Sequence, residues 1–139
     1  KKVLKFSNYG YLCINLNENY EEAQECLTKA IAYNPADGAA YNDRALCGLE
    51  LGAREESVLA DFNKGIEVEP DYATIHHNKG WFLNQLGDYE EAIPCFEKIT
   101  ELDPNHSASY EMIANTYKLL NEHNVTFDTA SNSHCGNMI

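Results

Sequence analysis

Residues Ala73 to His106 read ATIHHNKGWFLNQLGDYEEAIPCFEKITELDPNH. The apolar positions fall three or four residues apart on either side of Gly87, the spacing of two amphipathic helices separated by a break. After the break, Asp88-Tyr89-Glu90-Glu91 predicts a capping box, with Asp88 accepting from a free backbone N–H and Glu91 bonding back. Acidic side chains also suit the positive end of a helix. The stretch closes at Pro104, which cannot continue a helix and pushes Asp103 towards extended geometry. Pro94, inside the second helix, predicts a bend or a tightened first turn.

The same pattern recurs in both directions along the chain. Asn34-Pro35, Glu69-Pro70 and Asp103-Pro104 are spaced by 35 and 34 residues. Small residues repeat as Gly10, Ala45, Gly80 and Ala114; rings or histidine as Phe6, Tyr41, His76 and Tyr110; leucines as Leu16, Leu51, Leu86 and Leu120. A second set runs Ala23, Val58, Ala92, then Leu27, Phe62, Phe96, then Ala30, Gly65, Ile99. Helix starts like the one at Asp88 are expected at Asn19-Tyr20-Glu21-Glu22 and, more loosely, at Arg54-Glu55-Glu56-Ser57. A period of this length is the signature of stacked helical units, none of which buries its apolar face alone.

At Gly80, Leu83, Leu86-Gly87-Asp88-Tyr89, Glu91-Ala92, Phe96 and Leu102-Asp103-Pro104 the sequence resembles the tetratricopeptide repeat family. The resemblance implies an all-α fold, an α-α superhelix of antiparallel helix pairs. Its units span 3–37, 38–72 and 73–106, with a half repeat at 107–122. Small residues at the Gly10, Ala45 and Gly80 column would let paired helices approach to the close end of the interaxial range. Bulkier Val58 and Ile99 predict looser packing at their joints. Residues 123–139 carry the β-branched run Val125-Thr126 and no helical stripe, so they are read as a cap or a disordered tail.

In this family the first helix of each unit lines a concave groove. Carried across, the groove positions are Ser7, Tyr11 and Ile14; Asn42, Leu46 and Leu49; His77, Trp81 and Asn84; and Glu111, Asn115 and Lys118. Within each helix these stand at i, i+4 and i+7, one stripe of rings, amides and aliphatic groups. Such a surface suits a partner segment anchored by an apolar side chain and held through backbone hydrogen bonds. Trp81, the single tryptophan, is the sharpest candidate. One branch of the family clamps the acidic tails of heat-shock chaperones with lysine, arginine and asparagine. The corresponding columns here hold Ser7, Tyr11, Asp43, Thr74 and Asn78, and an aspartate repels a carboxylate, so clamp-type co-chaperone binding is not expected.

Composition narrows the remaining classes. With 22 acidic residues against 10 basic ones, a net charge of −12 disfavours nucleic acid and anionic membrane as partners. No apolar run is long enough to cross a bilayer or to form the core of a secretory signal, so a soluble, cytoplasmic chain is expected. It opens at Lys1 rather than methionine and is read as a piece of a longer product. Its five cysteines lie at least 13 residues apart, without a zinc pair, and are read as buried free thiols. His76 and His77 point about 100° apart on a helix and do not make a metal site. Neither metal nor cofactor is expected. With no nucleophile elbow, phosphate loop or carboxylate pair, the chain is read as a non-enzymatic adaptor or scaffold for a protein or peptide. The alternative is a self-associating unit, a homodimer formed through the uncapped C-terminal end.

Overall fold

A computed structural model describes residues 19–136 of the chain. Among these the elements are helices throughout, in the order α1 (Tyr20–Tyr33), α2 (Gly38–Glu50), α3 (Glu55–Val68), α4 (Ala73–Leu86), α5 (Tyr89–Leu102) and α6 (Ser107–Gly136). The chain divides into two compact units, Lys1–Lys79 and Gly80–Ile139, with the boundary inside α4.

The helix ends follow the periodic columns. The residues before the three prolines leave helical geometry: Asn34 has φ −138° and ψ 88°, Glu69 −143° and 73°, and Asp103 −139° and 93°. Between paired helices Gly52 and Gly87 take φ of +72° and +83°, a region that L side chains avoid, so glycine ends α2 and α4 cleanly. At α1 the expected capping box is present. Asn19 Oδ1 accepts from the Glu22 N–H at 3.1 Å, while Asn19 Nδ2 donates to Glu22 Oε2 at 2.9 Å. At α5 it is not: Asp88 makes no side-chain capping bond. Arg54 likewise caps nothing. Replacing Asn19 with alanine therefore lowers stability by about 1 kcal/mol, measurable as a lower urea midpoint with an unchanged slope, whereas Asp88→Ala leaves the midpoint nearly where it was.

The ring column has a structural purpose that its spacing did not disclose. Tyr41 donates its hydroxyl to the Pro35 carbonyl at 3.2 Å, Tyr110 does the same to Pro104 at 3.2 Å, and His76 Nε2 reaches the Pro70 carbonyl at 2.6 Å. A carbonyl only accepts, so His76 carries its proton on Nε2. α2, α4 and α6 are thus each tied to the proline turn before them, and His76 is committed to that bond.

In the first unit α1 packs on α2 and α2 on α3. Ala23, Leu27, Ala30, Ala40 and Cys47 form a fully buried cluster against which Tyr20 and Ile31 pack, and Phe62 and Ile75 are also fully buried. In the second unit α5 packs on α6, with Leu83, Ala92, Phe96 and Ile99 buried. Cys26, Cys47 and Cys95 are buried; Cys13 and the side chain of Cys135 lie outside the described residues. Pro94 sits on the exposed side of α5, which runs on through it to Leu102.

The segment after Asn121 departs from expectation. Rather than ending there, α6 continues to Gly136. Thr126 and Thr129 return their hydroxyls to the carbonyls one turn back, Glu122 at 2.9 Å and Val125 at 2.8 Å. No proline or glycine interrupts the run before Gly136, and residues 121–130 are exposed, so this length of helix needs no apolar stripe.

Candidate peptide-binding faces

In the first unit the sequence-derived positions lie on α2 and the first half of α4. Asn42 is almost fully buried, 2% exposed, and its amide is used at both ends. Asn78 Nδ2 donates to Asn42 Oδ1 at 2.9 Å, and Asn42 Nδ2 donates to Asp43 Oδ1 at 3.1 Å. Asn42 is therefore a strut between α2 and α4 rather than an open groove contact. One and two turns further along α2, Leu46 and Leu49 are half-buried; His77 on α4 is exposed. Ser7, Tyr11 and Ile14 lie outside the described residues.

Burial raises the pKa of Asp43 above the ordinary aspartate value. The Asn42 amide opposes the shift, and the charge on Asp37 adds to it. Tyr72 is also raised, first by burial, against its hydrogen bond with Thr74, and further by the charges on Asp43, Glu69 and Asp37. These residues share a negative potential. The neighbouring cation is engaged elsewhere: Arg44 holds Asp61 through two bonds, Nε to Oδ2 at 3.0 Å and Nη2 to Oδ1 at 2.7 Å.

The raised value fixes a pH dependence. Folded Asp43 binds its proton more tightly than unfolded Asp43, so the group is neutral in its effect below about pH 3.8, where both states are protonated. It becomes destabilising as pH rises through the raised value. Asp43→Asn therefore raises the melting temperature at pH 7, and the gain disappears on acidification. Thermal unfolding across that range checks it; a gain of equal size at both ends contradicts the assignment.

In the second unit Trp81 is 46% exposed, and Glu111, Asn115 and Lys118 are exposed along α6. Asn84 is held in place. Its Nδ2 donates to Thr116 Oγ1 at 2.9 Å, and the Thr116 hydroxyl donates to the Met112 carbonyl at 2.7 Å. Asn84 Oδ1 is buried with no partner among the described residues, so the donor end alone orients the amide. Thr116 is fully buried and was missed by the column reading, being one residue from Asn115.

Away from these faces, a cavity of about 490 Å³ opens in the first unit beside the Arg44–Asp61 pair, lined also by Gln24, Thr28, Lys29 and Ser57. Among the described residues no group of three His, Cys, Asp or Glu is placed to hold a metal ion.

Family models described as tetratricopeptide repeat match residues 17–67 and 73–106, together more than half of the chain. Hsp70-Hsp90 organizing protein 2 of Arabidopsis thaliana is 32% identical over 107 residues, covering 77% of this chain and 19% of that protein. Hsp70-Hsp90 organizing protein of Triticum aestivum is 31% identical over 107 residues, with shares of 77% and 18%. The chain thus spans about a fifth of the length of these curated relatives. Among solved structures, the first repeat domain of Spaghetti, bound to the HSP90 peptide SRMEEVD, superposes with a TM-score of 0.77 at 23% identity, covering 86% of this chain and 95% of that one. The Sgt2 repeat domain from Aspergillus fumigatus gives 0.78 at 22%, with shares of 89% and 82%. The chain has the fold of these all-helical repeat domains.

Proposed function

Because this chain belongs to the tetratricopeptide repeat family, we propose that it is a non-enzymatic interaction module, an adaptor whose first-helix faces seat a peptide or protein segment. The observation that carries this is the exposure of Trp81 at 46% on α4, beside Asn84, whose orientation is fixed. A large apolar ring left in water next to positioned polar groups is costly in isolation and useful in an interface. Relatives named as Hsp70-Hsp90 organizing proteins, and a neighbour that holds an HSP90 peptide, support a protein partner. A net charge of −12 speaks for such a partner over nucleic acid. No described helix is long and apolar enough to cross a membrane, which is compatible with a cytoplasmic place of work.

The test is affinity capture from a cell lysate with the wild-type chain and with His77→Ala/Trp81→Ala, the variant first verified as helical by circular dichroism. Expected is a partner retained by the wild type and lost by the variant. Equal recovery on both places binding elsewhere.

Self-association is the second reading, favoured by Val125 and Phe127, which are 57% and 67% exposed on α6. A mass that rises with concentration, and falls back to the monomer in Phe127→Ser, would establish it; a constant monomer mass would remove it.

A further inference from the structure

We propose that the segment seated on the first unit presents a lysine or arginine side chain to Asp43, an inference that rests on the peptide-binding reading above. The argument begins with how the nearby carboxylates are used. Asp37 accepts from the Ala40 N–H at 3.2 Å, and Glu69 Oε2 accepts from the Gly38 N–H at 3.1 Å. Both charges lie against the N-terminus of α2, whose free N–H groups and dipole favour anions. Asp43 has no such compensation. It stands inside α2, half-buried, and one of its oxygens takes the Asn42 amide. Its other oxygen takes no hydrogen bond from the described residues, and none of them pairs with it as a cation. Arg44, next in sequence, is held by both oxygens of Asp61.

The surroundings complete the match. Leu46, three residues on and half-buried, lies on the same side of α2, where the methylene stem of a long cationic side chain can rest while its head reaches the carboxylate. The Asn78–Asn42–Asp43 chain of hydrogen bonds holds the acceptor in place, so little ordering remains to be done on binding. The charge on Asp37 adds to that on Asp43, and Tyr72 lies within reach of both, so the surroundings attract a cation and repel a carboxylate.

The probe is an array of heptapeptides, each fixing Lys, Arg, Ala or Glu at one position within an otherwise degenerate sequence. It is screened with the wild type, Asp43→Asn, Glu56→Gln and His77→Ala. Asp43→Asn keeps an oxygen to accept from Asn42, and Glu56→Gln removes an exposed charge on α3. Expected is enrichment of Lys or Arg at one position by the wild type and by Glu56→Gln, reduced about tenfold in Asp43→Asn, as for loss of a charge-assisted hydrogen bond. Basic enrichment that survives in Asp43→Asn reflects the overall negative charge and overturns the proposal. Enrichment of Glu, or of no charged residue, overturns it while leaving the binding face intact. Identical selection by the wild type and His77→Ala overturns the first unit's binding face itself.

Discussion

Phe96→Ala destabilises the second unit by about 3 to 5 kcal/mol, the usual cost of emptying a fully buried aromatic site. Phe96 has no exposed surface, and the reason lies across from it on α4. A methyl group built on Gly80 would stand 2.7 Å from both Cε1 and Cζ of the Phe96 ring and 3.1 Å from Cys95 Cβ. The ring edge therefore occupies the space that Gly80 leaves empty, and removing the ring opens a void that α4 and α5 cannot close without moving their backbones. Urea unfolding followed by circular dichroism reads the change directly. A loss below about 1 kcal/mol would mean that the contact contributes little beyond ordinary surface packing.

Gly80→Leu reaches a comparable loss from the opposite direction, about 3 kcal/mol, by overfilling the same contact. Leucine is the better helix former by close to 1 kcal/mol, so an exposed glycine replaced this way would gain stability. Here that gain is outweighed, since Cβ alone already stands closer to the ring than two unbonded carbons tolerate. The two substitutions are coupled. Gly80→Ala combined with Phe96→Leu, which trades volume across the contact, costs less than the sum of the two single changes. Strict additivity would place the strain elsewhere.

The legible part of this fold is the part fixed by backbone chemistry. Pro35, Pro70 and Pro104 end helices because proline lacks an N–H, and Gly87 separates α4 from α5 because its φ is positive; both demands show as residue types at a fixed period. Features that depend on partners distant in sequence were hidden. Asn42 stands in a groove column, yet Asn78, 36 residues later, draws it into the interior. Nothing about an isolated asparagine reveals which of its possible partners it will meet. The continuation of α6 to Gly136 was obscured for another reason: a solvated helix has no apolar stripe to display, and Thr126 and Thr129 look like strand formers until their hydroxyls find carbonyls within the same helix. Asp88 shows the limit of local motifs, since the right residues for a capping box are present and the side-chain capping bond is not made.

Trp81 is the chain's single tryptophan and is 46% exposed, so its emission reports directly on whether a partner covers the second unit's face. The decisive measurement is a fluorescence titration of the wild-type chain with the segment recovered by affinity capture, paired with calorimetric titration of Trp81→Ala. If the first-helix faces bind the partner, emission shifts to the blue as the indole loses water, and Trp81→Ala weakens binding by about tenfold or more, the effect of truncating an aromatic anchor. Saturable binding with unchanged Trp81 emission, and equal affinity in Trp81→Ala, would contradict that account.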